Sequence, residues 1–349
     1  MVMSGLNQES FRAFTINGKE DGRIIDLPML VPSQDEVRIK VAYVGICGSD
    51  LHYYFHGANG TFAIKEPLIP GHEISGVVDL DPQHEIEVGT PVTIFPARPG
   101  EPILGLEDRP HLWHGVRYFG SAATTPHTQG GMAEFINVPR YMVRPLPQSV
   151  NLKVGALAEP LSVALHGVKL AGDLTGKKIL VSGSGPIGLL AIVAAKQAGA
   201  SEVTATDLFD EALERARRMG SDHNINISRE KLLANSYDVI FECSGNVRAV
   251  NSVIEAAQRG GTIVQIGMLG SGLHEINLGD VVTKELHLMG AFRFNDEMEE
   301  AIKLLDSHSD LAECISHTFP LEDVVAAFTM ARDAQRSGKV LVEFPTRRA

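Results

Sequence analysis

KKILVSGSGPIGLLAIVAAKQAGASEVTATD, residues 177–207, decides the fold of this chain. The short apolar run Ile179–Ser182 reads as a strand. Gly183-Ser184-Gly185-Pro186-Ile187-Gly188 follows it in the order G-x-G-x-x-G. Pro186 suits the first position of a helix, because its missing N–H would have no partner there. The glycines allow a tight turn, close approach to a pyrophosphate, and close packing of helix on strand. The N–H groups at the helix start would face the phosphates. Asp207 ends the next strand, SEVTATD, 19 positions after Gly188. An acid there accepts hydrogen bonds from the adenosine ribose and repels a 2′-phosphate, which favours NAD over NADP.

Outward from this stretch the alternation continues. FDEALERARRMGS and VRAVNSVIEAAQ are helical, while YDVIFECSG, GTIVQIGM and ELHLMGAF are strand-like. Strands alternating with helices imply an α/β unit with a doubly wound parallel sheet. Cys243, in VIFECSG, reads as core. Before about Gly155 the texture is different. EVRIKVAYVGI, ISGVVDL and TPVTIFPA are short strands set among Gly and Pro, and PARPGEPILGLEDRP at 96–110 is an excursion. Near the end come a helix at DEMEEAIKLLDS and a strand at KVLVEF. At 349 residues, about two domains are expected.

Composition excludes several classes. The net charge is −12, with no basic surface for a nucleic acid or an anionic membrane. No apolar run is long enough to span a bilayer. MVMSGLNQESFRAF lacks the features of a secretory leader. Cys47, Cys243 and Cys314 are an odd set that suits a reducing, cytoplasmic setting.

A metal constellation precedes the nucleotide unit: Cys47 in GICGSDLH, His72 and Glu73 in PGHEISG, and Glu159 in LAEPLSVALHG. Thiolate, imidazole and carboxylate together suit a catalytic zinc. On residue type alone, a buried thiol and surface polar groups explain them equally well.

GICGSDLHYY, PGHEISGVV, AEPLSVALHG, GSGPIGLLA and TDL together resemble the zinc-dependent medium-chain alcohol and polyol dehydrogenases, over nearly the whole chain. The resemblance implies a GroES-like, partly open β-barrel catalytic domain, residues 1–156 and 296–349, with a Rossmann NAD-binding domain at 157–295. It implies a homo-oligomer, tetramer or dimer, and one catalytic zinc per chain, with Cys47 and His72 as ligands and Glu73 and Glu159 as carboxylates that ligate directly or through water and exchange. Ser49 and His52 match a proton relay, with Glu159 beside the chemistry and Tyr53 at the substrate. Gly183, Gly185, Pro186, Ile187, Gly188 and Asp207 match the cofactor cradle, with Val181 beside it. Ile266, Gly267, Met268, Phe292 and Arg293 match segments that line the nicotinamide.

RYFGSAATTPHTQGG and AFRF carry a narrower likeness to members that oxidise sugar acids such as L-idonate, with sorbitol and xylitol oxidation as the alternative. A sugar-acid carboxylate needs a cation, and Arg117 and Arg293 are the candidates; for Arg117 a surface ion pair is an equal reading. A zinc-free reductase of the same fold and a non-catalytic nucleotide-binding protein are the competing classes.

Two departures stand out. The excursion contains none of the cysteines that hold a structural zinc in most relatives, so no structural zinc is expected; its prolines, Leu112 and Trp113 are left to stiffen it. The basic residue that relatives carry five positions after the ribose acid is Ala212 here, with Arg215 one turn further on.

Overall fold

A computed structural model describes residues 10–345. β1 (Ser10–Gly18) and β2 (Asp21–Pro28) form an antiparallel hairpin. β3 (Glu36–Gly45) is the spine of a seven-stranded sheet. Its inward residues Val37, Ile39 and Val41 alternate with outward Arg38 and Lys40, the period that one buried face imposes. β4 (Glu73–Leu80) lies on one side of β3, followed by β5 (Pro91–Ile94). On the other side, β6 (Phe135–Pro139) takes the first half of β3. β7 (Val143–Pro145) pairs with β5.

The second sheet holds β8 (Lys178–Ser182), β9 (Glu202–Asp207), β10 (His223–Asn226), β11 (Tyr237–Glu242), β12 (Ala257–Gln265) and β13 (His287–Gly290). All pair in parallel, in the order β10-β9-β8-β11-β12-β13. Helices cover both faces, so Ile179, Leu180 and Val181 are all fully buried and no alternation survives. The direction of winding reverses beside β8, and this leaves a crevice at the C-terminal ends of β8 and β11.

The chain then returns. β14 (Ile315–Pro320) and β15 (Lys339–Glu343) join the first sheet, with β15 antiparallel to the last residues of β3. Among the described residues no helix is long and apolar enough to cross a membrane.

The cysteine-free excursion is held by polar and aromatic contacts. Trp113 Nε1 donates to the Leu106 carbonyl at 2.7 Å, and Asn295 Nδ2 to the Asp108 carbonyl at 2.8 Å. The buried His111 ring packs edge-on against His166 at 4.9 Å. Leu112 does not help to pack it, being 37 % exposed.

Arg215 does not take the place of the basic residue on the adenine side. It lies buried on the helix Asp210–Arg218 and donates to the carbonyls of Ala334, Gln335 and Ser337 at 3.0–3.2 Å. It therefore ties the nucleotide unit to the loop that leads into β15. Replacing Arg215 by Met removes the donors, leaves the buried Ser337 carbonyl unpaired and loosens the Ala334–Gln335 stretch. The expected loss is roughly 2–3 kcal/mol of stability, read from the denaturant midpoint, with zinc content unchanged.

Candidate active site

Cys47 stands where β3 ends and caps α1 (Gly48–His56). Asp50, in the first turn of α1, is fully buried. One of its oxygens accepts the Cys47 N–H at 2.9 Å and the other the Gly71 N–H at 3.0 Å. A single carboxylate therefore fixes the two turns that carry Cys47 and His72. The Cys47 thiol, a His72 ring nitrogen and a Glu73 oxygen all lie within 4.8 Å of one another.

Glu73 opens β4 directly opposite Gly45, where a Cβ would overlap its Oε2. Its Oε1 accepts a hydrogen bond from Lys339 Nζ at 2.5 Å, and Lys339 is itself buried. Burial opposes the charge of Lys339, yet Glu73 and Cys47 hold its ammonium above the ordinary range. Among the described residues, Glu73 Oε2 and His72 Nδ1 are buried with no hydrogen-bond partner. Burial works against a charged His72 as well, yet Cys47 above all, with Glu159 and Asp50, pushes it up to about 10. Unpaired buried nitrogen and oxygen, a thiol and surplus negative charge are the donor set that a zinc ion satisfies, so these residues fit one.

Glu159, on α2 (Ala158–Ala171), faces the same space but stands outside that three-residue group. The Tyr118 hydroxyl donates to its Oε1 at 2.5 Å. Burial is the main cause that raises its carboxyl above the ordinary range.

These residues open onto a cleft of about 410 Å³ between the two sheets. Ser49, Tyr53, Ile187, Ile266, Gly267, Met268, Phe292 and Arg293 line it. The buried Tyr53 hydroxyl accepts the Ala122 N–H at 3.0 Å and so holds the loop beside the cleft. His52 lies one turn beyond Ser49 on α1, exposed, with its ring 5.7 Å from that of His56. Partial burial, and then His56, lowers its pKa. Among the described residues no hydrogen bond joins Ser49 to His52.

Arg293 holds a positive φ of 55°. Its guanidinium lies 4.1 Å from the Tyr118 ring centroid and 4.7 Å from that of Phe292. Among the described residues it makes no hydrogen bond or ion pair, and burial lowers its pKa.

Two expectations need correction. Arg117 does not reach the cleft. It pairs with Arg98 in a short ladder where Tyr118 points inward, so strand alternation turns Arg117 to solvent. Cys243 packs against the core but is only half-buried: it lies one residue past β11 and also forms part of the cleft wall. Val181 is fully buried beneath the glycine turn, against Gly188. Three residues of the site escape sequence reasoning: Asp50, Tyr118 and Lys339. Asp50 and Tyr118 lie inside the motifs, but nothing local marks Lys339.

In the nucleotide crevice each glycine does a different job. Gly183 has φ 93°, a Cβ on Gly185 would point into open space, and one on Gly188 would overlap the Gly183 carbonyl. The space over Gly185 admits a pyrophosphate at the start of α3 (Pro186–Gln197). Asp207 Oδ2 accepts the Ser184 N–H at 2.9 Å, and Oδ1 the Leu208 N–H at 2.7 Å. Oδ1 also accepts the Phe209 N–H at 3.1 Å, so the carboxylate is fixed at the rim with one acceptor site, on Oδ2, left for a ribose.

Residues 33–148 match the alcohol dehydrogenase GroES-like domain, and residues 186–307 the zinc-binding dehydrogenase family. The chain is 35% identical to L-idonate 5-dehydrogenase (NAD(P)(+)) of Escherichia coli K12 over 313 residues, 88% of this chain and 91% of the relative. It is 34% identical to sorbitol dehydrogenase of Bos taurus over 333 residues, 92% of each. The crystal structure of L-idonate 5-dehydrogenase from Escherichia coli K-12 superposes with a TM-score of 0.91 at 32% identity, covering 96% of this chain and 99% of that one. Sequence, fold and the Cys47–His72–Glu73 group agree: the chain belongs to the zinc-dependent medium-chain alcohol and polyol dehydrogenases, and it is an oxidoreductase of a polyol or sugar acid.

Proposed function

We propose that the protein oxidises a secondary alcohol of a sugar acid, L-idonate, to 5-keto-D-gluconate with NAD⁺. The unpaired Arg293 guanidinium in the cleft carries this reading. A planar guanidinium that feels Glu159 but makes no ion pair among the described residues suits bidentate binding of a substrate carboxylate. The similarity to sorbitol dehydrogenase supports oxidation of a neutral polyol as the second reading. The intact ligand group disfavours a zinc-free reductase.

Zinc supplies Lewis acidity toward the substrate hydroxyl, and NAD⁺ supplies the hydride acceptor. Cys47, His72 and Glu73 hold the metal, with Glu159 placed beside it by Tyr118. Ser49 accepts the alcohol proton inside the cleft. His52, linked to Ser49 through a ribose hydroxyl of the bound cofactor, carries the proton to solvent, and its lowered pKa keeps the ring ready to accept at neutral pH. Gly183, Gly185, Gly188, Pro186 and Ile187 seat the dinucleotide. Asp207 selects NAD, since a 2′-phosphate would meet its fixed carboxylate. Ile266, Gly267, Met268 and Phe292 press the nicotinamide toward the substrate, whose carboxylate Arg293 holds. Tyr53 shapes the wall of the substrate site.

The open edge of β13, with Leu288 and nearby Val282 exposed, offers a face for a second copy, in keeping with a homo-oligomer. Three free cysteines suit a cytoplasmic setting.

NADH formation with L-idonate, D-gluconate, D-sorbitol and xylitol tests the substrate. L-idonate should lead, and preference for a neutral polyol overturns the sugar-acid reading. Arg293→Ala should raise KM for L-idonate roughly ten- to hundredfold and leave polyol kinetics nearly unchanged; equal losses on both would remove the carboxylate role. Metal analysis should find about one zinc per chain, because the excursion has no cysteine and, among the described residues, Cys47, His72 and Glu73 are the group spaced to hold an ion. Asp50→Asn should weaken zinc retention roughly ten- to hundredfold in chelator competition, since an amide cannot accept from both turns.

A further inference from the structure

Glu242 closes β11 at the edge of the crevice and is 0 % exposed. Every partner of its carboxylate is a neutral donor. Oε1 accepts the Ser244 N–H at 2.9 Å and the Ser244 hydroxyl. Oε2 accepts the Gly245 N–H at 3.1 Å and Gln265 Nε2 at 2.5 Å. Two backbone N–H groups, the Gln265 amide and the Ser244 hydroxyl thus supply donors to both oxygens, the arrangement that suits a carboxylate. The donors satisfy its lone pairs but leave its negative charge in place.

This charge stands directly behind the cleft wall. The Glu242 carbonyl accepts the N–H groups of Ile266 and Gly267 at 2.9 and 2.8 Å, and Gln265 Nε2 also donates to the Gly267 carbonyl at 2.6 Å. A Cβ on Gly245 would overlap the Met268 carbonyl, and one on Gly267 the Gly245 nitrogen. Two backbone segments, 243–245 and 265–268, are therefore packed against each other around one buried anion. Their residues Cys243, Ile266, Gly267 and Met268 face the cleft. The Cys243 thiol is pushed well above its usual range, by burial first and by Glu242 second, so the charge is felt at the wall.

Oxidised nicotinamide is a cation and reduced nicotinamide is neutral. We propose that Glu242 poises the cofactor: its buried charge, behind the wall formed by Cys243 and Ile266–Met268, favours the oxidised form over the reduced one. In a poorly solvated site such a charge acts over several ångströms and is little screened by salt. The consequence is functional: the protein takes up the form that oxidises an alcohol and releases the reduced product more readily. The inference rests on the nicotinamide assignment made above, but not on the identity of the alcohol.

The test is the pair of dissociation constants for NAD⁺ and NADH, measured by protein and nicotinamide fluorescence on the zinc-loaded protein. Zinc content and near-ultraviolet circular dichroism check the fold of each variant. Glu242→Gln should raise Kd for NAD⁺ by about tenfold more than Kd for NADH. Glu242→Asp keeps the charge and changes the reach, so it should weaken both forms by a similar factor and preserve the ratio. If Glu242→Gln weakens both forms equally, or neither, the group is only structural and the proposal fails. Should Glu242→Gln not fold, Gln265→Met removes a donor and leaves the charge. It must keep the NAD⁺ preference at or above the wild-type value, and a shift toward NADH overturns the proposal. Wild-type protein that binds ADP-ribose but neither nicotinamide form would overturn the nicotinamide assignment, and the inference with it.

Discussion

Three carboxylic side chains, Asp50, Glu73 and Glu159, crowd one buried region beside the Cys47 thiol, and among the described residues the permanent cation bonded to them is Lys339, on Glu73. Such an arrangement is unstable in isolation, because each buried anion needs a partner. Asp50 finds its partners in two backbone N–H groups, and Glu159 finds one in the Tyr118 hydroxyl. Cys47, His72 and the second oxygen of Glu73 are left over, and they are the atoms that suit a metal. The metal site is therefore the electrostatic remainder of how this region folds.

That remainder depends on the chain's return. Lys339 begins β15, which pairs with the end of β3 and brings its ammonium to Glu73. The loop before it is gripped by Arg215 from the nucleotide unit. One run of backbone thus touches the helix after Asp207, crosses between the two sheets and ends in the metal pocket. The cleft lies where those two sheets face each other, so its walls combine metal ligands from one with cofactor segments from the other.

The two halves of the cleft handle charge differently. On the metal side, burial and several acids create a demand for a cation. On the dinucleotide side, Glu242 is fully satisfied by neutral donors, and its backbone and side chain hold both wall segments. The excursion that lacks cysteines shows a third solution, in which carbonyl, amide and ring contacts hold a loop without a metal.

Much of this architecture is legible in the amino-acid sequence. A phosphate cradle is local, so Gly183, Gly185 and Gly188 announce it through the turn, the opening and the close contact that each must provide. The motifs around Cys47, His72 and Glu159 likewise name residues that converge. The edge strand β10, HNIN, carries one large apolar residue and leaves no readable pattern. Residue type singles out Arg117, although its neighbour Tyr118 is the one at the site, because charge shows in the sequence while strand parity decides which side chain faces in. Cys243 reads as core because its segment is apolar, yet the strand stops one residue earlier at the crevice. Local spacing thus determined the dinucleotide turn, while the metal group was legible only through the family resemblance of its motifs. Only the tertiary structure decided which cation neutralises Glu73, which tyrosine holds Glu159 and which arginine stands free. Those choices join residues far apart in sequence, through sheet pairing and burial that no local pattern encodes.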